Sequence, residues 1–182
     1  LSSPTVKKEK TKEPMGKVQP LFHRKAIEKI QEMTGDGRIV MFCCNLNEQP
    51  FEATPMSTQK VDEDGTIWFF SAKDSDRNKY VKKDARVQLL YGDSGKQDYI
   101  SLYGEAEVLH DRAKAEEMWT KMVEVWFPEG PGDPNLSLIR FVPKEGFYWD
   151  TQHGKMVAFA KMLAAIVTGN KSDDSVEGKL QP

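Results

Sequence analysis

Side chains change character residue by residue over positions 99–109, and that period of two fixes a half-buried strand. Ile100, Leu102, Gly104, Ala106 and Val108 make one row, suited to a packed interior whose wall curves at the small residues. Tyr99, Ser101, Tyr103, Glu105 and Glu107 make the other, polar but aromatic, as expected beside a ligand or a partner. Such a strand needs neighbours for its backbone N–H and C=O groups. Turn-rich stretches at 45–50, 62–65 and 92–95 separate further strand-like segments at 38–45, 51–61, 66–70 and 86–91. Two more short strands, 136–142 and 146–150, flank Pro143. Helical spacing occurs at 23–33 (Ala26, Ile27, Ile30, Met33), closed by Gly35 and Gly37. It returns at 75–83 and at 111–126, where Asp111 is the cap and Ala115, Met118, Trp119, Met122, Val123 and Trp126 form the apolar face. Short hairpin-linked strands with few helices imply a mainly β fold, a small antiparallel barrel with helices over its openings.

The 182 residues, 38% hydrophobic, suffice for one sizeable core. Residues 1–20, rich in Lys, Glu and Pro, read as a disordered segment. Residues 21–152 form the barrel domain, and 153–182 an amphipathic helix (155–168, ended by Gly169) packed on the barrel, with a loose tail from Lys171. A net charge of −2 gives no general attraction to nucleic acid or anionic membrane. No run reaches the roughly 18 apolar residues of a membrane span. The two cysteines, Cys43 and Cys44, are adjacent and point to opposite faces of a strand, so the expected location is a reducing cytoplasm.

Residues 66–77 carry the strongest chemical signal. Ile67, Trp68, Phe69 and Phe70 read as a strand buried on both faces, followed by hydroxyls and cations: Ser71, Lys73, Ser75, Arg77, Lys79. Hydroxyls and a guanidinium hold phosphate oxygens, and a helix capped at Asp74 or Ser75 adds free N–H groups. The same spacing also fits a core strand followed by a solvated charged helix. No glycine fingerprint, P-loop, Gly-x-Ser-x-Gly elbow or Cys-x-x-Cys is present. His23, His110 and His153 are scattered without ligand spacing, so no metal is expected. With no activated nucleophile in view, any enzymatic chemistry must come from a cofactor. The surplus of exposed aromatics, with Trp119, Trp126 and Trp149, fits either helices packed on the barrel or a broad interface between two copies.

Several motifs occur in a telling order: Thr54-Pro55-Met56, Ile67-Trp-Phe-Phe-Ser71, Asp74-Ser-Asp-Arg77, Lys83-Asp-Ala-Arg-Val87, and Tyr99-Ile-Ser-Leu-Tyr-Gly104. Trp126-Phe-Pro-Glu-Gly-Pro-Gly-Asp-Pro134 and Phe147-Tyr-Trp-Asp150 complete the series. Over residues 22–150 this set resembles the bacterial general stress proteins of the pyridoxamine-phosphate-oxidase-like class, the FMN-binding split barrels. The resemblance implies a six-stranded antiparallel split barrel with covering helices, forming a homodimer with FMN at the subunit interface. By the same resemblance Arg77 is the basic phosphate ligand, assisted by Ser71 and Ser75, with Lys73 and Lys79 as lesser partners. The backbone of Thr54, Pro55, Met56 and Ser57 would pass along the flavin. Phe70 and Trp149 would border its rings, Tyr99 would stand near its edge, and Trp126 would cover it from the second subunit.

The chain also departs from that pattern. Thr54 stands where many members carry Arg, and Asp76 puts a negative charge beside the phosphate ligand, so weaker FMN affinity is expected. After Trp149 come Asp-Thr-Gln-His-Gly-Lys, without the Arg-x-His element by which true pyridoxamine phosphate oxidases bind substrate. The expectation is therefore an FMN-dependent oxidoreductase of a small molecule other than pyridoxamine phosphate, reduced by NAD(P)H or another donor. The alternative is a stress protein that holds or senses flavin without turnover. Single-stranded nucleic-acid binding on an aromatic barrel face lacks a continuous basic stripe.

Overall fold

The computed structural model describes residues 17–19, 21–151 and 175–182. Its elements run β1 (Lys17–Val18), β2 (Leu21–Phe22), α1 (Arg24–Thr34), β3 (Ile39–Cys44), β4 (Glu52–Ser57), β5 (Lys60–Val61), β6 (Ile67–Ala72) and α2 (Asp76–Lys83). Then come β7 (Arg86–Asp93), β8 (Asp98–Leu109), α3 (Arg112–Glu117), 3-10 turns at Val123–Val125 and Gly130–Gly132, β9 (Leu136–Thr151) and β10 (Ser175–Gln181). The fold is mainly β, a split barrel with helices against it, as expected.

β9, 16 residues long, is the spine. β8 pairs antiparallel along its length, from Leu109↔Leu138 to Tyr99↔Trp149. On its other edge β9 changes partner: Leu136 to Phe141 pair with β6, and Gly146 to Thr151 pair with β10. The sheet forks there. A register shift between Tyr103 and Gly104 marks the bend, and Pro143 sits opposite Gly104, where no regular ladder is lost. The sequence suggests two short strands around Pro143; one bent strand spans both, because β8 holds each side of the proline in the same ladder.

The remaining order is β9-β8-β7-β3-β4, and β4 has no ladder beyond β3 among the described residues. The segment read as one strand over 51–61 is extended but switches partner. Thr58 N–H donates to Arg38 O at 2.9 Å, and Gln59 N–H donates to Trp68 O at 2.9 Å. That corner leads the chain from the β3 side of the barrel to β6, so the split is crossed by the backbone rather than by hydrogen bonds between β4 and β6.

Two apolar clusters hold these layers. Inside the barrel lie Ile67, Phe69, Phe42, Leu89, Ile100, Leu102, Ile139 and Phe141, closed at one end by Ala26, Ile30 and Met33 of α1. Trp68, Leu136 and Leu138 point the other way, under Ala115, Met118, Val123 and Phe127. The β6 strand is thus buried on both faces, as its apolar run requires. Lys114 Nζ stands 4.9 Å from the centre of the Trp68 ring and ion-pairs with Asp62, which also accepts from Trp68 Nε1 at 2.6 Å.

Three expectations need correction. The helix over 111–126 stops at Glu117; after the break Val123 and Phe127 are buried, whereas Met122 and Trp126 on the spaced stripe face solvent. An unbroken helix would have pointed the latter pair inward, and the shape of the second cluster selects the former. The tail is not loose: β10 pairs with β9, and β1 and β2 run parallel to β10. The backbone edge of β9 beyond Pro143 needs a partner, and β10 supplies it. Within the segment read as disordered, Lys17–Val18 forms β1, and Gln19 accepts the Tyr148 hydroxyl at 2.8 Å. The helix expected over 155–168 and His153 lie outside the described residues. Among the described residues no helix is long and apolar enough to cross a membrane.

The bend at Gly104 gives a direct test. A Cβ there would fall on Val142 O and within 2.7 Å of the Phe141 ring. Gly104→Val is expected to lower unfolding free energy by more than about 2 kcal/mol in chemical denaturation. Wild-type stability would contradict the close packing of β8 on β9.

Candidate functional site

The β6–α2 junction turns chain direction into chemistry. Ser75 is extended (φ −61°, ψ 148°) and caps α2, its Oγ accepting from Asn78 N–H at 3.2 Å. The first intrahelical bond, Lys79 N–H to Ser75 O at 3.3 Å, leaves the amides of Asp76 and Arg77 ahead of it. Both carry the positive end of the helix dipole.

Arg77 Nη2 donates to Ser71 Oγ at 2.9 Å, while its Nε is sealed from water and has no hydrogen-bond partner among the described residues. Burial lowers the guanidinium's affinity for its proton, and Cys44 and Glu52 partly restore it. An arginine stays charged through shifts of this kind. A buried donor without an acceptor costs about 1–3 kcal/mol, so the side chain is held in an environment short of one acceptor. That shortage is what an anionic ligand relieves.

Behind Arg77 lies a buried polar network that local sequence does not disclose. Asn78 Nδ2 donates to Ala72 O at 2.9 Å and to Ser137 Oγ at 2.8 Å, and Asn78 Oδ1 accepts from Ser71 Oγ at 2.8 Å. Ser137 Oγ donates to Ser71 O at 2.8 Å. Asn78 looks like one more polar residue of a charged helix. Only the register Ser71↔Ser137 between β6 and β9, a pairing across 66 positions, brings it a partner. Its one local signal is an Asn within the first helical turn rather than at the cap, where its intrinsic preference lies.

Asp76 does not crowd the cradle. Its side chain is 74% exposed and pairs outward with Lys79 Nζ at 2.7 Å, which also turns Lys79 away. Lys73 is exposed. Cys43 and Cys44 are free and buried. Burial and the nearby Glu52 push the Cys44 thiol up to about 11, against the opposing pull of Arg77, and burial raises Cys43 as well.

The other expected residues fall into separate places. Tyr99 and Trp149 are cross-strand neighbours, 45% and 40% exposed, and Trp149 stacks at a tilt on Phe147, centroids 4.7 Å apart. Beside them an outward row crosses five strands: Pro55, Met41, Leu90, Ser101 and Phe147. Thr54 and Ser57 are half-buried on β4, Pro55 is exposed and Met56 belongs to the barrel core. Among the described residues the outer edge of β4 has no ladder partner for its backbone groups. Phe70 sits on the face of β6 opposite Ser71, edge-on to Trp119 at 5.7 Å. Trp126, 67% exposed, stands on the 3-10 turn beside exposed Met122 and Val125.

One chain therefore joins Ser71, Ser75 and Arg77, and separately Tyr99 and Trp149. Ser71 lies level with the Leu109 end of β8, and Tyr99 lies at its other end, about 30 Å along the strand at ~3.3 Å per residue. Among the described residues no group of three or more His, Cys, Asp or Glu side chains is placed to hold a metal ion.

The thiols provide a test that needs no ligand. With both raised and buried, a thiol reagent at pH 8 is expected to titrate neither in the native protein and both in denaturant. Rapid native modification would contradict the packing of the β3 end against Arg77.

Similar solved structures include three stress-type proteins. General stress protein 26 from Jannaschia sp. CCS1 shares 25% identity, with a TM-score of 0.71 over 85% of this chain and 97% of its own. A protein related to general stress protein 26 from Clostridium acetobutylicum shares 27% identity, TM-score 0.59, over 70% and 89%. The general stress FMN/FAD binding protein of Xanthomonas citri shares 25% identity, TM-score 0.60, over 71% and 91%. Among curated proteins no sequence matches this chain. The model of the family described as pyridoxamine 5'-phosphate oxidase like matches residues 25–173, most of the chain's length. With that span and the split-barrel fold, the chain belongs to the pyridoxamine 5'-phosphate oxidase like family.

Proposed function

We propose that this chain is a flavin-binding stress-type protein whose cradle at Ser75 and Arg77 holds the phosphate of FMN. The observation that carries this reading is the buried, unpartnered Nε of Arg77 beside the capped start of α2. The donor set suits a phosphate: a guanidinium, the amides of the first helical turn and a capping hydroxyl, with Asp76 facing away. A likeness to the FMN/FAD binding protein of Xanthomonas citri supports the same class of ligand.

The distance between cradle and aromatics supports a two-copy site. In a homodimer the row Pro55, Met41, Leu90, Phe147 and the pair Tyr99–Trp149 meet a second copy, with Trp126 as a further cover. Aromatics there exclude water from the ring system while Arg77 and Ser75 anchor the far end. When bound, the flavin supplies two-electron redox chemistry, and NAD(P)H or another small reductant is the proposed partner. The protein's own share is to bind, orient and shield.

Pyridoxamine phosphate is not the proposed substrate. Asp150, next after Trp149, is held by Lys29 Nζ at 2.8 Å, which ties that position to α1. Two buried free thiols suit a reducing compartment, and the cytoplasm is the proposed location.

Fluorescence titration tests the ligand. FMN is expected to quench on binding, and Arg77→Glu to weaken the affinity by at least about a hundredfold through loss of a charge pair. No binding by the wild type, or equal binding by the variant, would overturn the reading. Sedimentation tests the interface: a dimer is expected, driven toward monomer by Leu90→Glu on the apolar row. Reduction of bound FMN by NAD(P)H faster than free FMN marks an oxidoreductase, and an unchanged rate marks a binding protein. Robust turnover of pyridoxamine phosphate would contradict the assignment.

A further inference from the structure

We infer that Asn78 is a positioning residue for the anion cradle, acting through Ser71 and Ser75 on Arg77. The inference rests on the reading that the cradle takes the FMN phosphate. It follows from counting protons in the buried network.

Ala72 O can only accept, so the Asn78 amide nitrogen must face it, and that fixes the side chain's orientation. Asn78 Oδ1 is then an acceptor with one donor within reach, the Ser71 hydroxyl at 2.8 Å. A serine hydroxyl has one proton and two lone pairs. With the proton committed to Asn78, Ser71 Oγ is left as an acceptor only. Of its two remaining neighbours, Arg77 Nη2 at 2.9 Å donates to it, and Ser75 Oγ at 3.3 Å donates to it only while no ligand takes the Ser75 proton. The backbone N–H of Asn78 meanwhile occupies a lone pair of Ser75 Oγ at 3.2 Å. One residue thus sets the polarity of both hydroxyls and gives the guanidinium a fixed acceptor on its inner side.

Ser71 in consequence does not donate to a phosphate. It anchors Arg77, and the ligand's partners are Arg77, the first-turn amides and the Ser75 hydroxyl. Asn78 is 1% exposed, as is Ser137, which accepts from its amide, so thermal motion and water compete little with this arrangement. Without Asn78 the Ser71 proton is free to turn toward Arg77, and the anchor becomes a repulsion.

The test compares FMN with riboflavin, which has the same rings and no phosphate. Wild-type protein is expected to favour FMN. Asn78→Ala is expected to cut FMN affinity about tenfold and leave riboflavin affinity within about twofold. Ser71→Ala, a smaller change, is expected to do the same, and carries the test if Asn78→Ala does not fold. In an Arg77→Ala background neither change is expected to weaken FMN further, because its action passes through Arg77. Loss of FMN and riboflavin affinity in parallel, or an undiminished tenfold loss without Arg77, marks a merely structural role and overturns the inference. So does an unchanged preference for FMN in both variants. A wild type that binds both flavins equally overturns the parent reading, and this inference with it.

Discussion

Everything in this fold hangs on the ladder between β8 and β9. One strand pair runs the length of the domain, and β9 uses its second edge twice, for β6 before Pro143 and for β10 after it. That exchange of partners is the fork of the split barrel. It depends on Gly104, because a side chain there would occupy the space of Val142 and Phe141. The fork also separates the molecule chemically. On the β6 side lie the hydroxyls and the cation; on the β10 side lie the exposed Tyr99 and Trp149.

The β6 strand links packing to chemistry. Its apolar residues are spent on two cores, Phe69 inside the barrel and Trp68 and Phe70 under the α3 region, which makes its C-terminal end rigid. Ser71 emerges from that rigid end on the inner face, opposite Ser137. The Ser75 cap then launches α2 so that Asn78 returns to Ser71 and Ser137, and Arg77 is clamped beside them. Among the described residues, Arg77 Nε is the buried side-chain polar atom left without a partner. Where the buried side chains around it are paired, an unmet buried donor points to chemistry rather than to poor packing.

Much of this was readable from residues alone, and the rest was hidden for a physical reason. The alternation at Tyr99 to Leu109 and the apolar run at Ile67 to Phe70 gave their strands because pattern and burial coincide locally. Ser75 and Arg77 stood out because capping and anion binding use the same short stretch. Asn78 and Ser137 did not, since their roles exist only across the β6–β9 ladder. Trp126 illustrates the opposite failure: helical spacing placed it on an apolar face, but the break after Glu117 turned it to solvent. The pairing of β10 was equally hidden, because a short polar tail becomes a strand only when an open edge of β9 awaits it. Phe70 and Ser71 are neighbours in sequence and face apart in space, Phe70 toward Trp119 and Ser71 toward Asn78 and Arg77.

The central claim is that the Ser75–Arg77 bend receives the phosphate of a flavin mononucleotide. A crystal structure of the protein grown with excess FMN tests it most directly. The account predicts phosphate oxygens within about 3 Å of the Arg77 guanidinium and of an α2 first-turn amide. Flavin density elsewhere, with that bend open to bulk water, would contradict it.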